Sequence, residues 1–517
     1  MNSLNIVTTY LLSLLFIIPL LAAAQQKEQP NILIIISDDH AYQTIGAYGS
    51  PYGKTPGIDR IAEEGMVFNG AYVTNSICGP SRATILTGKY SHKNGFKDNE
   101  TSRFDHSQDL FVKQLRKVGY KTAWIGKQHL GNEPQGFDFY SILPGQGHYF
   151  NPDFITLGKG RENIKGYVSD VVTDKSLDWL SSLDSEEPFC LVIGHKATHR
   201  TWMPAPEDFG LYDTVEFPIP ETFFDDYNTR EAASKQEMSI DKDMILGYDL
   251  KMFASKEEMR KDGNFARMSE DDLEKYYQYY APIYKEFTEA NLSGKELALW
   301  KYNRYMTDYL NTAHSMDRNI ERVLDYLDEH DLTENTLVIY LSDQGFYMGE
   351  HGWFDKRFMY EESFRTPMVA RYPKLIKPGS QSYSMIMNVD IAPTLLELAG
   401  ANISKDIQGV SFAKTLSTPN KKARNNMYYH YYERGEHAVS PHFGVSDGRY
   451  KLIRFYDRVS GWELFDLKKD PQELNNIYGE KKIAKKQKQL EKLLLENIVE
   501  LEDNEAKALL EEIGYTL

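Results

Sequence analysis

Four segments of the chain have the pattern of buried strands that end in polar residues. The first, Asn31–Asp39 (NILIIISDD), is almost continuously apolar until its two carboxylates. The other three are Tyr120–His129, Phe189–His195 and Thr336–Gly345. Strands that are apolar on both sides are typical of a parallel sheet covered by helices on both faces. The pattern therefore predicts an α/β fold with a large, mostly parallel central sheet.

Helical patterns and one inserted segment lie between these strands. Thr55–Gly65 predicts a short helix that stops at a glycine, Leu110–Lys117 predicts a second helix, and Tyr302–Leu327 predicts a long amphipathic one. Met66–Val73 predicts a further strand. Residues from about 225 to 280 are charged and rich in Lys, Glu, Met and Tyr. We expect them to form a helical insertion over the functional site.

The last hundred residues predict a separate small subdomain. A polar stretch with turn formers, Leu416–Lys422, is expected to close a catalytic domain that covers 25–416. Beyond it, residues 417–517 predict a small antiparallel sheet followed by a helical tail rich in Lys, Glu and Leu. The four expected strands are 427–432, 442–446, 450–456 and 462–467.

Composition and charge exclude several classes of protein. The 517 residues are 41% hydrophobic and 26% charged, which is ordinary for a globular protein. The formal net charge of −16 argues against a nucleic-acid-binding protein, which normally has a basic footprint. Cys78 and Cys190 are the only cysteines, so no disulfide framework is expected. The apolar neighbours of Cys190 predict an inert thiol in the core.

The first 24 residues have the pattern of a secretory signal peptide. An apolar run from Tyr10 to Ala23 ends in small residues, and cleavage is expected before Gln25. The segment contains no Lys or Arg, and an uncleaved membrane anchor is the alternative. Pro19 and the small-residue ending favour the signal peptide. We therefore expect an exported protein, periplasmic or secreted, without stable membrane insertion.

Oxygen-bearing side chains recur where two of the predicted strands end. The first strand ends at Asp38 and Asp39, and the last ends at Asp343 and Gln344. Ligands of a parallel sheet bind beyond the carboxyl ends of its strands. Adjacent carboxylates repel each other unless a cation lies between them, and oxygen ligands suit a hard divalent cation. A solvated acidic loop is the alternative for the first pair alone, but the repeated ending favours a shared metal site.

The segment Cys78–Gly88 (CGPSRATILTG) predicts a helix that begins at its cysteine. Pro80 suits a first helical turn because it has no backbone N–H to lose. A helix N-terminus favours an anion, and Arg82 shares a helix face with Cys78. The alternative is a small buried cysteine with a surface arginine.

Cationic side chains also recur at predicted strand ends. Lys127 and His129 follow one strand, whereas His195 ends another and precedes His199 by four residues. A single lysine or histidine at a strand end is usually a surface residue. Because these residues recur at the ends of several parallel strands, we expect them to share a pocket.

The string that begins at Cys78 resembles the signature of the type I sulfatases of the alkaline-phosphatase superfamily, Cys-x-Pro-Ser-Arg-x-x-x-Leu-Thr-Gly. The matching positions are Cys78, Pro80, Ser81, Arg82, Leu86, Thr87 and Gly88. The resemblance implies that a maturation enzyme oxidises Cys78 to formylglycine, whose hydrate is the nucleophile. It also implies one calcium ion bound by Asp38, Asp39, Asp343 and Gln344, with glutamine where many relatives have asparagine.

The resemblance further assigns roles to the cationic residues. It implies that Arg82, Lys127 and Lys356 bind the sulfate group. It makes His195 the candidate acid for the leaving alcohol and His129 the candidate base that allows sulfate to leave. The family's Gly-Lys-Trp-His element has Gln128 here in place of tryptophan. Four residues are candidates for contact with the rest of the substrate: His199, Arg434, His437 and His442.

The implied substrate is a sulfated oligosaccharide or polysaccharide. Both host glycosaminoglycans, including 6-sulfated N-acetylglucosamine, and algal polysaccharides such as ulvan remain open. A phosphatase or phosphodiesterase of the same superfamily is an alternative, but those relatives use Ser or Thr as nucleophile and two zinc ions. Cys78 and Gln344 argue against it. A second alternative, an inactive carbohydrate-binding relative, is opposed by the complete set of candidate catalytic residues.

Overall fold

The apolar run that starts at Asn31 is a central strand of a ten-stranded sheet in the computed structural model, which describes residues 29–184 and 187–515. The strands are Asn31–Ser37 (β1), Met66–Phe68 (β2), Ala71–Tyr72 (β3), Lys121–Lys127 (β4), Phe139–Leu143 (β5), Asp153–Thr156 (β6), Gly160–Asn163 (β7), Phe189–Gly194 (β8), Thr336–Ser342 (β9), Met368–Arg371 (β10), Ser380–Ser382 (β11), Ile386–Met387 (β12), Met427–Tyr431 (β13), His442–Ser446 (β14), Tyr450–Phe455 (β15) and Gly461–Asp466 (β16).

Helices cover both faces of this sheet. They are Pro56–Glu63 (α1), Cys78–Thr87 (α2), Ser91–Asn94 (α3), Phe111–Lys117 (α4), Val168–Ser181 (α5), Glu231–Lys235 (α6), Lys256–Lys261 (α7), Glu270–Ala290 (α8), Gly294–Glu329 (α9), Glu361–Phe364 (α10), Ile391–Leu398 (α11), Ala413–Ser417 (α12), Ala484–Glu500 (α13) and Asn504–Glu512 (α14).

The centre of the large sheet is parallel and its edges are mixed. Its strand order is β11-β2-β10-β9-β1-β8-β4-β5-β6-β7. Strands β9, β1, β8, β4 and β5 pair in parallel, whereas β10, β6 and β7 pair antiparallel with their neighbours. The predicted fold class is therefore confirmed, and the carboxyl ends of four predicted strands lie at one edge.

Two apolar cores lie on opposite faces of the sheet, because successive side chains of a strand point to opposite sides. Leu33 and Ile35 of β1 pack with α1, α5 and α9 on one face. Ile32, Ile34 and Ile36 pack with α2, α4 and α11 on the other. Cys190 of β8 is a buried free cysteine in this second core, as expected of an inert thiol.

The C-terminal sheet, β13 to β16, is a four-stranded antiparallel meander packed against α13. All four of its strands lie where the sequence predicts them. The helical tail is also present, as α13 and α14. The domain boundary near residue 416 stays a prediction.

Two predicted elements differ in the structure. The expected strand Met66–Val73 is broken into β2 and β3, which join different sheets. A Cβ at Gly70 would lie 2.7 Å from the Ser384 carbonyl oxygen, so neighbouring backbone passes closely at the break. The segment 225–280 contains α6, α7 and the first half of α8, and is otherwise turns.

The predicted signal peptide, 1–24, lies outside the described residues. Among the helices of residues 29–184 and 187–515, none is long and apolar enough to cross a membrane.

Candidate active site

Three carboxylates converge at the carboxyl edge of the sheet. Asp38 and Asp39 directly follow β1, and Asp343 follows the neighbouring β9. One oxygen of each lies within 4.8 Å of the others, and all three side chains are buried. The Asp39 N–H donates to Asp343 Oδ1 at 3.2 Å. The expected meeting of the two acidic strand ends is therefore present.

The donor set fits a hard divalent cation. Within the described residues, Asp38 Oδ1 and Gln344 Oε1 are buried without a hydrogen-bond partner. A buried polar atom left unpaired costs about 1–3 kcal/mol, and a cation bound by oxygens would satisfy both. Burial raises the pKa of Asp39 to about 6, although the nearby Lys356 ammonium opposes this. A cation among the three carboxylates would favour their charged forms.

Each carboxylate is also paired with one cationic side chain. Lys127 Nζ donates to Asp38, and Lys356 Nζ lies 2.7 Å from both oxygens of Asp39. Arg82 Nε donates to Asp343 Oδ2 at 2.8 Å. These three cations are buried, and burial holds the pKa of Lys127 well below its usual range. A cluster of basic side chains therefore lies within a protein of negative net charge, where it could bind an anionic substrate.

Cys78 is the first residue of α2, as predicted, and it lies against this cluster. Its Sγ is 3.7 Å from Lys356 Nζ and 3.9 Å from Gln344 Nε2. The whole of α2 is buried, and the helix ends at Gly88 in the left-handed conformation with φ 65°. Burial raises the pKa of the Cys78 thiol to about 12, so the unmodified side chain is a neutral thiol at pH 7. The two nearby nitrogens are suitable donors to an oxygen at position 78.

The two strand-end histidines are buried and incompletely paired. His195 follows β8, and neither ring nitrogen has a hydrogen-bond partner in the described parts of the chain. His129 has a left-handed backbone with φ 59°, and its Nδ1 likewise lacks a partner there. Burial lowers the pKa of His195 to about 3 and that of His129 well below its usual range. Both rings are therefore neutral at pH 7, with nitrogens available to a substrate or water.

A cavity of about 260 Å³ opens onto Cys78, Asp39 and Lys356. Two of the four candidate substrate-contact residues, His199 and His437, line it. His437 Nε2 lies 2.8 Å from Asp355 Oδ2. His199 and His437 therefore share a cavity with Cys78, Asp39 and Lys356.

The other two candidates do not line the cavity, and for the buried His442 this corrects the sequence-based expectation. His442 is buried in the C-terminal sheet, where its Nε2 accepts from the Met359 N–H at 3.0 Å and its Nδ1 donates to the Ser440 carbonyl. Arg434 has a side chain that is 65% exposed and pairs with Asp457 at 3.2 Å. A histidine with both nitrogens used in a core is not placed for substrate contact, whereas substrate contact by Arg434 stays a prediction.

Several cavity residues were missed by sequence reasoning. Asp355 and Arg357 flank Lys356, and Arg200 follows His199, so proximity to candidate residues was a usable signal for these three. Gln146, Tyr248 and Glu433 also line the cavity. They come from loops without a recognisable pattern, and nothing in the sequence singles them out.

Comparison with known proteins decides the family. Residues 30–401 match the sequence profile described as Sulfatase, and residues 349–500 match the profile described as N-sulphoglucosamine sulphohydrolase, C-terminal. The chain belongs to the sulfatase family. This sulfatase is an enzyme that hydrolyses sulfuric esters, and the family match supports this assignment over the phosphatase alternative.

Several relatives of this sulfatase are named for a sulfated carbohydrate that they act on. An N-acetylglucosamine-6-O-sulfatase from Bacteroides thetaiotaomicron is 46% identical over 495 residues, which cover 93% of this chain and 88% of the relative. The solved structure of a relative in complex with its substrate D-glucosamine-2-N,6-O-disulfate superposes with a TM-score of 0.90 at 46% identity, covering 92% of this chain and 99% of that one. An ulvan-active sulfatase from Formosa agariphila is 26% identical, covering 84% and 67%.

Proposed function

We propose that this sulfatase removes the 6-O-sulfate from N-substituted glucosamine, using formylglycine at position 78 and one bound calcium ion. The observation that carries the proposal is the position of Cys78 at the start of α2, against Lys356 and Gln344 and beside three buried carboxylates. The curated relative and the solved structure, each 46% identical to this chain, support the choice of sugar over algal ulvan.

The residues that would hold calcium are Asp38, Asp39, Asp343 and Gln344. Calcium would supply positive charge that stabilises a sulfate oxygen and lowers the pKa of an adjacent hydroxyl. The three carboxylates would then no longer depend on their individual cationic partners. Lys127, Lys356 and Arg82 are therefore available to donate to sulfate oxygens, where they spread the negative charge of the transition state.

Formylglycine at position 78, made by a maturation enzyme, would supply an aldehyde hydrate whose second hydroxyl lets sulfate leave without attack of water on sulfur. The start of α2 supports negative charge at this position through its free N–H groups and the helix dipole. Gly79 N–H is held by Asn99 Oδ1 at 3.1 Å, which fixes the first turn of the helix.

The two histidines would transfer the protons. A general acid or base must lie within hydrogen-bond distance of the atom that gains or loses the proton, directly or through one water. His195 is assigned the transfer of a proton to the sugar oxygen as the S–O bond breaks. Because its ring is neutral in the free protein, it must first take up a proton, which the attacking hydroxyl at position 78 would supply. His129 is assigned the proton taken from the hydroxyl at position 78 as sulfate leaves. Their unpartnered buried nitrogens support these roles.

The function is tested by sulfate release from a panel of defined sugars. The protein is first shown by peptide mass to carry the aldehyde at position 78. We expect rapid release from 6-sulfated N-acetylglucosamine and from glucosamine-2-N,6-O-disulfate, with little release from 6-sulfated N-acetylgalactosamine or ulvan oligosaccharides. Cys78→Ala and Cys78→Ser are expected to fold and to turn over negligibly. Wild-type turnover by either variant, or a preference for ulvan, contradicts the proposal.

We also propose that the protein is exported after cleavage of residues 1–24. The apolar run with a small-residue ending supports this proposal. The N-terminal residue of protein recovered from its native cells is expected to be Gln25. A mature chain that retains Met1 argues against a cleaved signal peptide.

A further inference from the structure

One cation in the active-site cavity is held rigidly but has unused hydrogen-bonding capacity. Arg200 follows His199 and lines the cavity together with Cys78. Its Nε and Nη2 donate to the two oxygens of Asp249 at 2.5 and 2.7 Å. Its Nη1 has no hydrogen-bond partner within residues 29–184 and 187–515. The side chain is 20% exposed, whereas Asp249 is fully buried.

Two aromatic rings fix the plane of this guanidinium. Its carbon lies 4.9 Å from the ring centre of Phe354 and 5.4 Å from that of Tyr248. Asp249 is held in turn by the Ile245 N–H at 2.7 Å. Because the Asp249 carboxylate binds two of its nitrogens and two rings pack against it, the arginine side chain loses its conformational freedom on folding, before substrate binds. A donor prepared in this way is typical of a recognition group.

The other cations of the cavity are already surrounded by carboxylates. Lys356 is paired with Asp39. Arg357 has Asp355, Glu433 and Glu436 within 4 Å, at 3.6, 2.9 and 3.9 Å. A second anionic group on the substrate would be repelled by this acidic side. Arg200 faces one carboxylate partner, Asp249, which does not line the cavity.

Arg200 and Cys78 line the same small cavity. Its volume of about 260 Å³ is below the usual range for ligand pockets, roughly 300–1,000 Å³. With the 6-sulfate at position 78, an anionic substituent of the same sugar ring is therefore the candidate partner of Arg200. In a glucosamine, the remaining anionic substituent that the closely related solved structure's substrate carries is the N-sulfate.

We propose that Arg200 is a specificity-determining residue that donates to the N-sulfate of 6-O-sulfated glucosamine. The proposal rests on the function proposed above and adds the group that distinguishes N-sulfated from N-acetylated sugars. A hydrogen bond between charged partners is stronger than one to a neutral acetamide. Loss of Arg200 is thus expected to weaken binding of the disulfate more than that of the N-acetyl sugar.

The test removes the charge of Arg200 without leaving its buried partner charged. Asp249→Asn is compared with the double variant Arg200→Gln/Asp249→Asn, and Arg322→Gln, at the surface of α9, is the control outside the cavity. Affinities for glucosamine-2-N,6-O-disulfate and for 6-sulfated N-acetylglucosamine are measured calorimetrically in the Cys78→Ala background. Wild-type protein and the same three variants, each with residue 78 matured, are then assayed for kcat/KM on both sugars. Thermal midpoints confirm that each variant is folded.

We expect the affinity ratio of disulfate to N-acetyl sugar to fall about tenfold between Asp249→Asn and the double variant, as loss of a hydrogen bond to a charged group implies. Arg322→Gln should keep the wild-type ratio. An equal loss for both sugars means that Arg200 has a structural role and overturns the proposal, as does an unchanged ratio.

Absence of turnover by wild-type protein would count against the proposed function, while the affinity ratio still decides the role of Arg200. A double variant that does not fold is replaced by Arg200→Lys, which keeps the charge, loses the bidentate geometry and is expected to lower the same ratio partially; an unchanged ratio there overturns the proposal.

Discussion

Gly79, next to the candidate nucleophile, has no room for a side chain. A Cβ there would lie 2.5 Å from Asn99 Oδ1, 2.6 Å from a Phe96 ring carbon and 2.9 Å from the His129 carbonyl oxygen. Two of these neighbours belong to backbone or to a packed ring and cannot move away easily. The position of Cys78 therefore depends on a glycine after it.

We expect Gly79→Ala to reduce kcat by about 100-fold or more, because a shift of about 1 Å at a reacting group has an effect of that size. Folding should be affected less, since one turn of α2 is displaced while the core of the helix keeps its contacts. Sulfate release and the thermal midpoint are measured together. Gly263→Ala is the matched control, since a Cβ there meets nothing within 4 Å. Full activity of Gly79→Ala would show that the first turn tolerates displacement.

The oxygen cluster at Asp38, Asp39, Asp343 and Gln344 makes a prediction about metal removal. A ligand that binds the folded state alone raises stability by about 2.7 kcal/mol at a concentration 100 times its dissociation constant. Treatment with a chelator is therefore expected to lower the thermal midpoint, and added calcium should raise it in a concentration-dependent way. Asp343→Asn should weaken this response. If neither chelator nor calcium changes the thermal midpoint of the wild-type protein, the prediction of a calcium site is wrong.

At the scale of elements, strands were easier to predict than the segments between them. β1 and β9 are buried on both faces, so their apolar runs are unbroken and their boundaries are clear. Residues 225–280 have a composition that suits helices and solvated turns alike. Their turns are fixed by local side-chain bonds, such as those from the Ser239 N–H and hydroxyl to Asp243. Side chains of this kind compete with helix formation, and the pattern alone did not reveal it.

The same contrast separates the predicted and the missed site residues. Asp38, His195 and Asp343 follow strands whose positions in the sheet are set by their own sequences. Arg200 and Glu433 reach the cavity from loops, and loop positions depend on packing against distant elements. The prediction for His442 was wrong because its side chain points from β14 into the core, where backbone groups bind both nitrogens of the buried imidazole.

Strand β16 carries a buried carboxyl that makes stability depend on pH. Glu463 is buried, and burial raises its pKa to about 8, while the Tyr360 hydroxyl donates to it at 2.7 Å. A carboxyl whose pKa is raised by folding stabilises the protein fully below the unfolded pKa, near 4.5. That contribution is lost as the pH rises through about 8.

We therefore expect Glu463→Gln to weaken the fall in stability between pH 5 and 8, by an amount on the order of a few kcal/mol. The amide remains neutral at every pH and still accepts from Tyr360. Urea unfolding across this pH range measures the difference. Glu480→Gln, at an exposed position, is the control and should follow the wild-type curve. Parallel curves for Glu463→Gln and wild type would mean that Glu463 titrates normally.

At the scale of the whole molecule, a buried network around Asp503 joins the C-terminal helices to the catalytic part. Its carboxylate lies 2.7 Å from His430 Nδ1 in β13 and 3.2 Å from His92 Nδ1 in α3. The Tyr428 hydroxyl donates to it at 2.8 Å. Because Glu433 and His437, a few residues beyond β13, line the cavity, this junction also positions one wall of the active site.

The carboxylate of Asp503 is expected to contribute about 1–3 kcal/mol to stability, since buried hydrogen-bond donors such as the Tyr428 hydroxyl depend on it as their acceptor. Burial alone would raise its pKa, but the attraction and hydrogen bonds of His430 and His92 outweigh burial and hold it well below its usual range. A carboxyl with a lowered pKa stabilises the protein above its unfolded pKa of about 3.8, and this contribution is lost as the pH falls.

Asp503→Asn should therefore lower the free energy of unfolding at pH 7, and the loss should shrink as the pH falls below about 4. It should also raise KM, because the wall formed by Glu433 and His437 is less firmly placed. Chemical denaturation and sulfate release measure the two effects. The control is Glu502→Gln, at the exposed residue that precedes Asp503 and pairs with Lys93 of α3. It should change neither the free energy of unfolding nor KM. If Asp503→Asn lowers stability but leaves KM unchanged, the junction stabilises the molecule without shaping the cavity.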